Sequence, residues 1–122
     1  MKALIDSDVL IDYLQGIDQA RVEISRYNPP LYSIISWMEI HCGAETESER
    51  EAAEVLFASM QRIDLTPEVA RIAVEERQRS GLKLPDAIIL ASADSAGCIL
   101  VTRNTKDFDS NDPRVRFPYA VK

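Results

Sequence analysis

The chain has 122 residues, 46% of them apolar and 28% charged, with a formal net charge of −6. That length suits a single domain with one core and leaves no room for a separate cap domain, and no apolar stretch approaches a membrane span. The acidic balance argues against a module that holds nucleic acid by bulk electrostatics, which needs a basic footprint.

Ala3, Leu4 and Ile5 read as a short buried strand, and Ser7 or Asp8 is a natural N-cap for a helix carrying Val9, Leu10, Tyr13 and Leu14. Asp6 and Asp8 therefore stand where the strand ends. In open parallel sheets the crevice lies beyond the carboxyl ends of the strands, so both belong on its floor. Two like charges so close resist joint ionisation unless a cation compensates them, which points to a metal-dependent site.

A segment from about Asp18 to Arg26 follows, ended by Asn28-Pro29-Pro30, which no helix runs through. Leu31-Tyr32-Ser33 is a second strand, and Ser33 can cap a helix from about Ile34 to Cys42, closed by Gly43. Residues 46–51 hold two overlapping capping boxes ahead of Ala53, Leu56, Phe57 and Met60 at helical spacing. Gln61 to Leu65 reads as a third strand. Thr66-Pro67-Glu68 opens the next helix, with proline at its first position, and Ser80-Gly81 ends it.

Pro85 to Ala93 is apolar almost all round, as a helix packed between a sheet and other helices should be, with Gly97 closing it. Cys98 to Thr102 is a strand, Asn104 to Phe108 a loop or short helix at its carboxyl end, and Val115 to Tyr119 a short terminal strand. Strand and helix alternate throughout. The expected architecture is a single three-layer α/β domain spanning residues 1–122, with a central parallel sheet flanked by helices.

No basic flank precedes a long apolar run at the N-terminus, so no signal peptide is expected. Cys42 and Cys98 fit no CxxC pattern, which favours two buried thiols in a reducing cytoplasm over a disulfide framework or a zinc site. Charge is unevenly spread: residues 1–80 carry 15 acids and 8 bases, residues 81–122 carry 5 acids and 6 bases. Any contact with a polyanion is accordingly expected near Lys83, Arg103, Lys106, Arg114 and Arg116 rather than in the acidic middle, although each of them taken alone reads as an ordinary solvated charge. The run from Gly43 to Glu54, with five glutamates against Arg50, suits a solvated face or a protein-facing edge better than an RNA groove.

Four acids stand out by context: Asp6 ends the first strand, Glu39 lies in the helix after the second, Asp86 begins the apolar helix, and Asp107 follows the last strong strand. Singly, each has an ordinary explanation. Ser36-x-x-Glu39 matches a capping box, and Asp86 in a first turn gains about 0.3–1 kcal/mol from the helix dipole alone. Their joint placement suits Mg²⁺ or Mn²⁺, hard ions that take oxygen ligands and keep several waters. One such ion, or two about 3.5–4 Å apart, would activate water for attack on a phosphodiester. His41 is the only histidine, and without a Gly-x-Ser-x-Gly turn it founds no serine triad.

Residues 4–12, 33–40, 84–91 and 101–108 resemble, in order and rough spacing, the four motif regions of PIN-domain ribonucleases, in particular the small stand-alone VapC-like toxins. The resemblance implies an endoribonuclease using Mg²⁺ or Mn²⁺, with Asp6, Glu39 and Asp86 as core metal-site carboxylates and Asp107 as the fourth acid, acting directly or through water. It implies that Ser7 orients the first carboxylate and that Asp8 supports the site with or without touching metal. Thr102 and Asn104 would line the pocket, and Arg103 or Lys106 would meet the RNA backbone. A homodimer and a small antitoxin, supplying a basic side chain to the acidic pocket, are also implied. Two alternatives remain: a catalytically idle PIN-like partner-binding protein, and a haloacid-dehalogenase-like phosphatase using Asp6 as nucleophile.

Overall fold

The computed structural model describes residues 1–121. Five parallel strands form one sheet in the order β3-β2-β1-β4-β5, from β1 (Ala3–Ile5), β2 (Pro30–Ser33), β3 (Gln61–Ile63), β4 (Ile99–Val101) and β5 (Val115–Arg116). The chain builds outward from β1 through β2 to β3, then crosses back to lay β4 on the other side of β1. Strand order therefore reverses between β1 and β4, and the crevice of such sheets opens at that switch point, beyond the strands' carboxyl ends.

Strand alternation sorts the core into two layers. Ala3, Ile5, Tyr32 and Val101 face one way, onto Val9 and Leu10 of α1 (Ser7–Leu14), Ala20 and Ile24 of α2 (Asp18–Ser25), and Ala53, Leu56 and Phe57 of α4 (Glu47–Ala58). Leu4, Leu31 and Leu100 face the other way, onto Val69 and Ala73 of α5 (Pro67–Ser80) and the run Ala87–Ala91 of α6 (Leu84–Ser95). Between them, α3 (Ile34–Gly43) gives Ile40 to the first layer and lays Ile35 against the second, so it spans the sheet's carboxyl edge. This is the three-layer parallel α/β arrangement expected from the sequence.

Several local expectations shift. Asp6, not Ser7 or Asp8, is the N-cap of α1: β1 stops at Ile5 as expected, but the helix already starts at Ser7 and the Asp6 carboxylate accepts the Ser7 N–H. Of the two capping boxes, only the one at Thr46 is used, its hydroxyl accepting the Glu49 N–H. Ser36 and Glu39 form no cap, since Ser33 already starts α3 and both lie inside it. Strands β3 and β4 are each two residues shorter than expected, and β5 keeps only two. Cys42 is exposed and Cys98 half-buried, so the pair of buried thiols is not realised. Among the described residues no helix is long and apolar enough to cross a membrane.

Candidate active site

Asp6 is fixed at both ends. Its backbone N–H extends the ladder between β1 and β4 by donating to the Val101 carbonyl at 2.9 Å, and its Oδ1 accepts the Ser7 N–H at 2.7 Å. Oδ2 accepts the Thr102 hydroxyl at 2.7 Å. The side chain is buried at the floor of the crevice. Burial, joined by the Asp8 and Asp86 charges and opposed by the Thr102 and Ser7 hydrogen bonds, pushes its carboxyl up to about 7.

The other acids arrive from separate elements. Asp86 enters from the first turn of α6, where burial and the charges of Asp107 and Glu39 raise its carboxyl above the usual range against the pull of Lys83. Asp107 comes from the turn after β4, and the Asn104 amide, donating to its Oδ2 at 3.0 Å, holds its carboxyl low. The Asp107 N–H returns the contact to Asn104 Oδ1 at 3.2 Å. Glu39 projects from the middle of α3, and its Oε1 accepts the Ser7 hydroxyl at 2.7 Å. That hydroxyl also pairs with Ser36 Oγ at 2.8 Å; because Glu39 as a carboxylate can only accept, the proton Ser7 gives is directed to Glu39.

Asp8 has a different surrounding. Its carboxylate accepts the Arg103 N–H at 3.1 and 3.3 Å and lies 3.4 Å from the Thr102 hydroxyl, so it ties the segment after β4 to α1. Burial raises its carboxyl and those contacts oppose the rise. The expected roles can thus be set beside their positions. Ser7 holds Asp6 through its backbone and Glu39 through its hydroxyl. Thr102 and Asn104 border the crevice. Arg103 instead turns its guanidinium to Asp12, while Lys106 is exposed beside Asp107. His41 lies elsewhere, packed at a tilt against Trp37 with Nε2 2.8 Å from Glu54.

The donors facing the crevice are carboxylate and hydroxyl oxygens, the set that hard divalent ions prefer, and burial, joined at Asp6 and Asp86 by neighbouring carboxylates, holds the Asp6, Asp8 and Asp86 carboxyls high. In kind, the residues fit Mg²⁺ or Mn²⁺. As the side chains stand, no group of three or more among the described residues is drawn in tightly enough to enclose an ion. Beside Glu39, a cavity of about 250 Å³ opens between α1, α3 and α4, with Ile11, Leu14, Ile40 and Ala52 on its walls.

The family pattern of the PIN domain matches residues 3–112. The chain belongs to the PIN-domain family. Over 126 aligned positions this PIN domain is 32% identical to Ribonuclease VapC10 of Mycobacterium tuberculosis, covering 97% of the chain and 93% of that protein. It superposes on a chain of a toxin-antitoxin complex from Klebsiella pneumoniae with a TM-score of 0.90 and 37% identity, covering 98% of this chain and 99% of the other. The fold is shared with a chain of DNA-bound VapBC from Salmonella typhimurium, at a TM-score of 0.80 and 23% identity over 95% and 96% of the two chains.

Sequence reasoning left parts of this PIN-domain site unassigned. Ser36, read as a helix cap, is fully buried against Ser7 and backs the hydroxyl that reaches Glu39. Asp12 and Tyr119 drew no functional reading, yet the Tyr119 hydroxyl donates to Asp12 at 2.8 Å beside Arg103. The signal for Asp12 was its spacing: Asp8 and Asp12 are four apart and share one face of α1.

Proposed function

We propose that this chain is a divalent-metal-dependent ribonuclease and the toxin component of a toxin-antitoxin pair. The observation that supports the reading most is that Asp86 lies within reach of the charges of Glu39 and Asp107, and Asp6 within reach of that of Asp86, beside the switch point of a PIN-domain sheet. The kinship to a protein named Ribonuclease VapC10 and to a chain from a toxin-antitoxin complex supports it. The chain acts as a single PIN domain over residues 1–122, in the cytoplasm and as a homodimer.

Asp6, Glu39 and Asp86 are the residues that would hold Mg²⁺ or Mn²⁺, with Asp107 as the fourth acid. Bound there, the ion supplies a Lewis acid that makes water a nucleophile near neutral pH and offsets charge at the phosphodiester. The chain's own work is orientation. Thr102 and the Ser7 N–H fix the two oxygens of Asp6, Ser7 aims Glu39, and Asn104 keeps Asp107 ionised. Lys83 and Lys106 are the cations that offset the crevice's negative charge for an RNA backbone; Arg103 is not one of them, because its guanidinium is already paired with Asp12. An antitoxin gains by offering a basic side chain to the same acids, where a charge-assisted hydrogen bond replaces their repulsion.

Attack by water predicts that the ribose 2′-hydroxyl is not the nucleophile. The test is cleavage of an RNA carrying a single 2′-deoxy substitution at a mapped scissile position, with Mn²⁺ present. Continued cleavage is expected; cleavage blocked at the substituted position refutes hydrolysis by water. Absence of any RNA cleavage, with phosphate released from small phosphoesters instead, points to the phosphatase reading. Absence of both, with a partner protein still bound, points to the idle scaffold.

A further inference from the structure

We propose that Asp12, Arg103 and Tyr119 form a latch that positions the segment 103–107, and with it Asp107, against the acidic crevice. This rests on the reading of Asp107 as the fourth acid of the site. The three are positioning residues and touch neither metal nor RNA.

Asp12 lies in the last turn of α1 with its side chain almost wholly buried, where an unpaired carboxylate is costly. Arg103 meets it with a two-pronged contact: Nε pairs with Oδ2, and the second nitrogen reaches Oδ1 at 2.9 Å. A guanidinium bound this way fixes direction as well as distance, which a lysine ammonium does not. Tyr119, from the C-terminal tail, donates to the same Oδ2 at 2.8 Å, and the Arg103 guanidinium lies 6.0 Å from its ring.

The backbone of the same arginine makes a second attachment. Its N–H donates to Asp8, one helical turn before Asp12, so residue 103 is clamped at two points along one face of α1. The next residue continues the chain of contacts: the Asn104 N–H donates to the Thr102 hydroxyl at 3.0 Å, and the Asn104 side chain then grips Asp107 at both its backbone and its carboxylate. The 103–107 segment has no strand or helix of its own to define its course. With the clamp released, Asn104 and Asp107 keep each other but lose their register against Asp6 and Asp86. The contact also removes Arg103 from the polyanion contacts that its position suggests.

The experiment compares Arg103→Lys, Asp12→Asn and Tyr119→Phe with Arg116→Lys. The last loosens the C-terminal tail through Glu23 without touching Asp12. Three quantities are read: the Mn²⁺ dissociation constant by direct titration, the KM for RNA, and amide exchange over 103–107. Loss of a group that orients a ligand typically weakens metal affinity about 10–100-fold, so Arg103→Lys and Asp12→Asn should fall in that range. Tyr119→Phe, which deletes one hydroxyl and leaves the ring, should shift affinity the same way by less, and amide exchange should quicken in all three. Arg116→Lys should lower the melting temperature with Mn²⁺ affinity unchanged.

A raised KM for RNA with unchanged Mn²⁺ affinity in Arg103→Lys overturns the latch and makes Arg103 a phosphate contact. Equal losses of Mn²⁺ affinity in Arg116→Lys and Arg103→Lys overturn it in favour of general destabilisation. If the charged-pair variants do not fold, unchanged amide exchange in Tyr119→Phe overturns it. If wild type binds Mn²⁺ without cutting RNA, the ribonuclease reading fails while affinity still decides the latch. If wild type binds no Mn²⁺, the metal reading fails and amide exchange decides the latch alone.

Discussion

At the residue scale, Asp6 shows the conflict between function and stability most openly. Its carboxylate is buried beside Asp8 and Asp86, and hydrogen bonds from Thr102 and Ser7 oppose that cost. Asparagine keeps the N-cap, since its side-chain oxygen can still accept the Ser7 N–H, and removes the charge. Asp6→Asn should therefore abolish RNA cleavage while raising the melting temperature of the metal-free protein at pH 8. The rise should be a few degrees, because about 1 kcal/mol corresponds to roughly 4 °C for a domain near this size. An inactive protein that melts lower than wild type would mean that Asp6 is needed for folding. Ser7→Ala tests the contact to Glu39: with the hydroxyl gone, cleavage should drop by about 10–100-fold at fixed Mn²⁺ and recover in part at higher Mn²⁺, measured as initial rate against metal concentration.

At the scale of elements, much was legible because the ends of helices carry their own chemistry. Thr66 followed by Pro67 starts α5, and Gly81 ends it with φ of +76°, a left-handed conformation that glycine adopts freely. The apolar run of α6 announced a helix covered on several sides. Strand limits were less legible, since β3 to β5 end where the neighbouring strand stops offering partners, which a local pattern does not encode. Two glycines offer a paired test. Gly81→Ala places a side chain in the left-handed region and should cost about 1 kcal/mol, whereas Gly43→Ala, in the last turn of α3 with open space around its Cβ position, should be neutral or stabilising by up to about 1 kcal/mol. Thermal or urea denaturation reads both, and equal effects would contradict the assigned C-cap.

At the scale of the whole molecule, long-range ion pairs hold the tail and turn after β4 to the helical layers. Arg116 pairs with the buried Glu23, which also accepts the Tyr27 hydroxyl, and Arg114 joins Glu76, Asp94 and Asp112. Burial raises the Glu23 carboxyl, but hydrogen bonds from Arg116 and Tyr27 outweigh it, so its pKa lies below the ordinary 4.5. A lowered folded-state pKa gives stability that is fully present above about pH 4.5 and is lost as pH falls through the folded value. Glu23→Gln should thus cost about 2 kcal/mol near neutral pH and flatten the acid limb of a stability-against-pH curve. An unchanged acid limb would assign acid denaturation to other carboxylates.

The same scale explains what the sequence withheld. Asp6, Asp86 and Asp107 could be picked out because each follows a strand or opens a helix, whereas Glu39 lies in the middle of α3 and stood out only as an acid in the helix after the second strand. That Arg103 would turn to Asp12, 91 positions away, depends on how α1 lies against the end of β4, and its basic character alone suggested RNA. Ser36 was hidden for a similar reason: its spacing to Glu39 imitates a cap, while its partner lies on another helix.

The most direct test of the account is the rate of RNA cleavage by the purified protein as free Mn²⁺ is titrated up from an EDTA-treated, metal-free start, with Asp86→Asn run alongside. A metal site built on Asp86 should give no cleavage without metal, a saturable rise in wild type, and no rise in Asp86→Asn at any Mn²⁺ concentration that leaves the RNA itself intact. Undiminished cleavage in EDTA, or a wild-type response from Asp86→Asn, would contradict it.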